Sequence, residues 1–195
     1  KDELVLYNGV DTSKFYPVEV EKNKSFTIGC VANFWEIKDQ ITLIKAVEML
    51  LSNGENILLR LIGSGPTLQS CKDYVQEKKL NQFISFEKEI RHELLNTFIN
   101  KIDLFVLPSY YESLGCVYLE SWATNTPFIA VRNQGISELM PDEMKDRFLV
   151  PKSDELNLSK RILDFKNNTV LFPFDEKYNI KNTISNFLKN QVFDE

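Results

Sequence analysis

Glu112 and Glu120 stand eight positions apart in the run Tyr-Tyr-Glu-Ser-Leu-Gly-Cys-Val-Tyr-Leu-Glu, directly after an apolar stretch that ends at Pro108. In an unbroken helix that spacing is about 12 Å along the axis. Carboxylates so far apart are poorly placed to act as a close acid/base pair. They accept hydrogen bonds and donate none, so each suits a pair of neighbouring hydroxyls. A polar, elongated ligand with two hydroxyl-rich parts, such as a sugar and a ribose, would span them. Gly115 lies between them, where strand gives way to helix.

These side chains need elements to aim them. Continuous apolar runs at Phe26–Val31, Ile57–Ile62, Phe83–Phe86, Asp103–Leu107, Pro127–Val131 and Phe148–Val150 read as strands, with a further short one at Leu4–Tyr7. Lys38–Leu51 has helical spacing, with Ile41, Ile44, Val47 and Leu51 on one stripe, and Ser52-Asn53-Gly54 stops it. Helices are also predicted at Thr67–Lys79, His92–Asn100, Leu114–Thr124, Asp154–Lys166 and Asp175–Asn190. Strands that alternate with helices, and are apolar throughout, imply an α/β fold: a Rossmann-like parallel sheet with helices on both faces. In such a sheet the ligand crevice lies beyond the C-terminal strand ends. The loops after Val31, Ile62, Phe86, Leu107 and Val131 are therefore the ones to inspect.

Composition narrows the partners. The 195 residues suffice for one large domain, and 43% hydrophobic content supplies its core. A net charge of −5 with no basic run argues against nucleic acid. Cys30, Cys71 and Cys116 have no metal-ligand spacing and read as reduced, mostly buried thiols of a cytosolic protein. No apolar run approaches the roughly 20 residues that span a membrane. The chain opens inside an apparent strand with neither initiator Met nor signal peptide, so it is expected to be a piece of a longer protein.

The motifs together carry a family resemblance over nearly the whole chain. Asn8-Gly9-Val10-Asp11, with Phe15 and Pro17, is followed by Ile28-Gly29-Cys30-Val31-Ala32-Asn33 and Lys38. Gly63-Ser64-Gly65-Pro66 fails as a dinucleotide fingerprint, because Leu68 stands where its third glycine belongs. After Glu112-Ser113-Leu114-Gly115 and Glu120 come Pro127-Phe128-Ile129-Ala130 and Gln134-Gly135-Ile136-Ser137-Glu138. This series resembles the C-terminal, donor-binding half of GT-B fold retaining glycosyltransferases of the family 4, or "glycosyl transferases group 1", type.

The resemblance implies roles. Lys38 would stabilise the leaving diphosphate, helped by free N–H groups where the helix near it opens. Asn33 stands where the family usually has Arg. Gly63 and Gly65 would let backbone approach the ligand, and Glu89 and Ile90 would hold the nucleobase by main chain. Glu112 would contact the donor sugar, and Glu120 the ribose hydroxyls. Backbone N–H groups of Leu114, Gly115 and Cys116 would line sugar and phosphate. Asn125, in place of the usual Gly, still suits a left-handed helix cap. His92, the one histidine, reads as a solvated surface residue.

The function implied is transfer of a sugar from a nucleoside diphosphate to an acceptor hydroxyl with retention, in cell-surface glycan or glycolipid synthesis. The donor nucleotide sugar (UDP-, GDP- or ADP-linked) is a substrate, and neither cofactor nor metal is implied. Residues 1–24 would be an interdomain strand and linker, 25–170 the nucleotide-sugar-binding domain, and 171–195 a C-terminal helix packing back on it. The partner would be an absent N-terminal acceptor domain of the same chain. The expected location is cytoplasmic, with any peripheral contact at the inner membrane face made by the absent half. The alternatives are a non-catalytic partner-binding module of the same fold, or another GT-B enzyme such as a sugar-nucleotide epimerase.

Overall fold

Six apolar runs lie side by side in one parallel sheet in a computed structural model that describes residues 7–190. The strands are β1 (Phe26–Val31), β2 (Ile57–Ile62), β3 (Ile84–Glu87), β4 (Leu104–Val106), β5 (Phe128–Val131) and β6 (Leu149–Val150). Their order is β3-β2-β1-β4-β5-β6, and each neighbouring pair is parallel. Ile28, Ile57, Leu59, Leu104, Phe105, Ile129 and Ala130 are all fully buried. Burial on both faces explains why the runs of β4 and β5 show no polar alternation, whereas the edge strand β3, Ile-Ser-Phe-Glu, is half-exposed.

Helices α1 (Gln40–Ser52), α2 (Leu68–Glu77), α3 (His92–Lys101), α4 (Cys116–Ala123), α5 (Ile136–Leu139), α6 (Asp142–Phe148), α7 (Glu155–Asn167) and α8 (Ile180–Asn190) connect and follow them. A line of rings, Phe105, Tyr118, Phe128, Phe148 and Phe165, crosses the core with successive centroids no more than 6.2 Å apart. The Tyr118 hydroxyl, fully buried, donates to the Leu107 carbonyl at 2.8 Å, so its polar end is satisfied.

The sequence-based elements and the structure differ in instructive places. Lys38 ends a single 3₁₀ turn, Glu36–Lys38, and is not in α1. Asp39 separates the two in a left-handed conformation (φ 50°), so α1 starts only at Gln40. Likewise α4 starts at Cys116 and not at Leu114, because Gly115 is left-handed (φ 73°). Asn125 takes the left-handed form after α4, as its residue type allows. The short helix α6 has no counterpart among the predicted elements, while α5 starts in the Gln134–Glu138 run, which reads either as a turn or as a helix N-terminus. In α6 the acids Asp142 and Glu143 open the helix and Lys145 and Arg147 end it, which favours the macrodipole, but no apolar stripe announces it. The expected strand at Leu4–Tyr7 falls, apart from Tyr7, outside the described residues.

Near its two ends the described chain meets itself. Val10 and Asn179 form a parallel bridge, with Val10 N–H donating to the Tyr178 carbonyl at 2.9 Å. Tyr178 is buried against Trp122, whereas Ile184 and Leu188 on α8 are exposed.

The order of the sheet locates the crevice. From β1 the chain moves outward to β2 and β3, then returns past β1 to β4 and continues the other way. The connections leaving β1 and β4 diverge at that point and leave a gap beyond adjacent strand ends.

Candidate functional site

The loop leaving β1 is set against the turn leaving β2. Phe34 N–H donates to the Ser64 carbonyl at 2.7 Å. A Cβ on Gly63 would lie 2.1 Å from the Ala32 oxygen, and one on Gly65 2.5 Å from the Phe34 oxygen. Both glycines also have strongly positive φ, 144° and 146°. The close approach seen here is therefore between two protein loops, a tighter requirement than room for a ligand alone.

From there the chain turns through Glu36–Lys38. Asp39 is held by Thr42 Oγ1 at 2.9 Å and Ser153 Oγ at 2.7 Å, and Gln40 Nε2 donates to the Asn33 carbonyl at 3.0 Å. The Asn33 side chain itself is exposed. The Ile37 carbonyl accepts from both Tyr110 N–H and Ser109 Oγ, each at 3.0 Å. Two bonds on one oxygen thus tie the β1 loop to the β4 loop.

That tie brings Lys38 and Glu112 together. Lys38 Nζ forms an ion pair with Glu112 Oε1, and the side chains are only 21% and 12% exposed. The Glu112 backbone is clamped independently. Its N–H donates to Gln134 Oε1 at 2.9 Å, and its carbonyl accepts from Gly135 N–H at 3.3 Å. Gly135 permits this contact, since a Cβ there would sit 1.5 Å from the Ser113 oxygen.

Leu114 is buried beneath the loop, and Gly115 then turns the chain into α4. No side chain caps the start of α4, and its first turn carries no acid. Its opening N–H groups and dipole end suit an anion. Cys116 is exposed at this end. Cys30 and Cys71 are buried, and burial pushes their thiols up to about 12 and about 11.

Glu120 projects from α4 with 12% of its side chain exposed. Burial raises its carboxyl above the ordinary range, and the hydrogen bond from His92 opposes that shift. His92 Nε2 lies 3.2 Å from Glu120 Oε1, and its ring meets the edge of Phe15 at 5.2 Å.

A second cluster lies beyond β2 and β3. The Ser64 hydroxyl donates to Glu89 Oε1 beside an open cavity of about 570 Å³ lined also by Gly63, Lys72 and Phe86. Ile90 is half-buried next to it in sequence. Glu87 is taken by Arg60 in a two-bond fork at 2.7 and 2.8 Å, which holds its carboxyl below the usual range.

The structure therefore joins Lys38 with Glu112, and Ser64 with Glu89, and gives Glu120 a partner in His92. The sequence reading gives no site role to Ser109, which ties the two loops, to Gln134 and Gly135, which clamp the Glu112 backbone, or to His92, which pairs with Glu120. Gln134 and Gly135 lie in a run whose glycine could have signalled a close backbone approach. His92 carried no such signal, since its partner is 28 positions away. Among the described residues no group of three or more His, Cys, Asp or Glu side chains is placed to hold a metal ion.

A family model described as "Glycosyl transferases group 1" matches residues 11–184. The putative glycosyltransferase EpsF of Bacillus subtilis is 33% identical over 138 residues, which cover 64% of this chain and 35% of that protein. The lipopolysaccharide core biosynthesis glycosyltransferase LpsD of Rhizobium meliloti is 29% identical over 147 residues, 75% of this chain and 41% of its own length. The chain thus spans well under half of these relatives. Among solved structures, the C-terminal domain of a group 1 glycosyl transferase family protein (LpcC) from Francisella tularensis superposes with a TM-score of 0.72 at 20% identity. That match covers 96% of this chain and all of the other. Anabaena HepE in complex with UDP and glucose gives 0.72 at 18% identity, covering 98% of this chain and 53% of HepE.

Proposed function

The chain belongs to the glycosyl transferases group 1 family and has the fold of the C-terminal half of a GT-B enzyme, and on that premise we propose that it binds the nucleotide-sugar donor of a retaining glycosyltransferase. The observation that carries the proposal is the meeting of Lys38 and Glu112 at the point where the strand order reverses. The uncapped start of α4 lies in the same loop.

In this reading the donor lies along the C-terminal edge of the sheet. Its diphosphate takes Lys38 and the first N–H groups of α4. Glu112, released from Lys38, accepts from the sugar hydroxyls and orients the ring. Glu120 accepts from the ribose. The bond from the anomeric carbon to the diphosphate oxygen breaks, and the diphosphate leaves with the electron pair. The acceptor hydroxyl forms the new bond to the anomeric carbon and passes its proton to the departing diphosphate oxygen. The protein stabilises charge growing on the departing diphosphate. The transferred group is a hexose type, and the acceptor domain lies in a part of the protein other than these residues. A cytoplasmic location, with peripheral membrane contact through that other part, belongs to the same proposal.

Asn33 favours a second reading, a binding module without turnover. Asn brings no charge to the diphosphate, and Lys38 is already neutralised by Glu112. Thermal shifts with UDP, GDP and ADP separate the two. At 100 times its dissociation constant the matching nucleotide should add about 2.7 kcal/mol. Lys38→Met should abolish that shift. No shift with any of the three would reject the donor reading in favour of the module.

A further inference from the structure

Glu120 is the more sequestered partner in its pair, and the way it is held bears on what it can recognise. Its side chain is 12% exposed while that of His92 is 58% exposed. His92 Nε2 reaches Oε1 at 3.2 Å, and no side-chain bond to Oε2 is recorded among the described residues. His92 is the first residue of α3, so its backbone direction is set by that helix. Its ring is steadied edge-on by Phe15, which is itself buried. Phe15 sits at the end of a short turn in which Asp11 accepts from both the N–H and the hydroxyl of Ser13, and from which Phe15 N–H donates back to the Asp11 carbonyl.

We propose that His92 is a positioning residue: by donating to Oε1 it fixes the rotamer of Glu120 and leaves Oε2 as the acceptor for a ribose hydroxyl, and so sets the preference for ribonucleotides. This rests on the donor-binding reading above. A carboxylate held at one oxygen presents the other in a single direction. A free carboxylate on a flexible stem must lose rotamer freedom before it can do the same. The donor needed is an N–H at the Nε2 position, which both neutral and protonated imidazole can supply. A glutamine at position 92 can place an amide N–H in similar reach. An alanine cannot.

The test is binding of UDP, GDP and ADP, each beside its 2′-deoxy and 3′-deoxy forms, to wild type, His92→Ala, His92→Gln and Glu120→Gln. Circular dichroism melts of the four proteins check the fold, and His92 is exposed enough for its variants to retain it. Wild type should favour the ribonucleotide over at least one deoxy form by about tenfold, the scale of one hydrogen bond to a charged group. His92→Ala should shrink that ratio to within about threefold, by weakening the ribonucleotide and sparing the deoxy form. His92→Gln should restore most of it. A general structural role would instead weaken ribo and deoxy forms alike, and that result, or an unchanged ratio, would overturn the proposal. If wild type binds none of the nucleotides, the donor reading fails first and this inference falls with it. If wild type binds and only the ratio is insensitive, the donor reading stands and this inference alone is lost.

Discussion

The two halves of the sheet are built differently. β1 and β2 pair along six positions and β2 and β3 along four. On the other side, β4 meets β1 at two positions and β5 at two, and β5 meets β6 at two. The first half is secured by strand ladders, and its turns carry glycines packed against a neighbouring loop. The second half has short strands, and its connections are held by individual bonds such as Gln134 to Glu112. Glu112, Glu120 and the start of α4 sit on that second half, while the first contributes Lys38 and the Ser64–Glu89 cluster. The two carboxylates are thus set on the part of the fold with least ladder, steadied by stitches to the part with most.

Glycine substitutions test this contrast with the largest effects. In Gly63→Ala the new methyl meets backbone at 2.1 Å at a φ that L residues avoid, so the ladder half must shift. We expect a loss of about 3 kcal/mol or more in denaturant melts. Gly135→Ala meets backbone even closer, but in a loop, and at an ordinary φ of −52°. It should cost less, about 1–3 kcal/mol, while nucleotide binding is lost. Equal melting of the two variants would break the contrast.

Next in size is the pairing across the halves. A double-mutant cycle of Lys38→Met and Glu112→Gln should return a coupling of about 1–3 kcal/mol, because both side chains are largely buried. A coupling near zero would mean that the halves are joined by backbone alone.

Thiol labelling sharpens the difference without mutation. Cys30 and Cys71 are buried with thiols raised to about 12 and about 11, whereas Cys116 is exposed at the start of α4. One equivalent should react rapidly at pH 8, and a bound nucleotide should slow it. Fast reaction of two thiols would show the ladder half opening.

The smallest effect is on pH dependence, and its sign should be opposite in the two halves. Arg60 depresses the Glu87 carboxyl. That stabilisation is present above the unfolded value of about 4.3 and disappears as pH falls through the depressed one. Glu87 is partly exposed, so the difference between wild type and Glu87→Gln should stay under about 1 kcal/mol. Glu120 is raised by burial. Its cost is absent below about pH 4.3 and grows as pH rises through the raised value. Glu120→Gln should therefore melt higher than wild type at pH 7, and the gap should close on acidification.

Much of the sheet was legible because its strands are largely buried and lie in largely apolar runs. Phe26–Val31 and Ile57–Ile62 were found to the residue for that reason. The starts of α1 and α4 were not, because Asp39 and Gly115 break the chain by backbone conformation, which periodicity does not report. The pair Lys38 and Glu112 could be named from residue type and resemblance, but their direct contact could not, since it spans 74 positions. His92 reads as a surface residue, and it is exposed. What the sequence hid was its neighbour on another helix.

The Ile37 carbonyl, which accepts from Ser109 and Tyr110, has one more consequence. The work there is done by a main-chain oxygen, while the Ile37 side chain is 38% exposed. Position 37 can therefore drift among residue types without disturbing the seam between the loops. A substitution scan would score it silent, and only an edit to the peptide unit itself would reveal how much hangs from it.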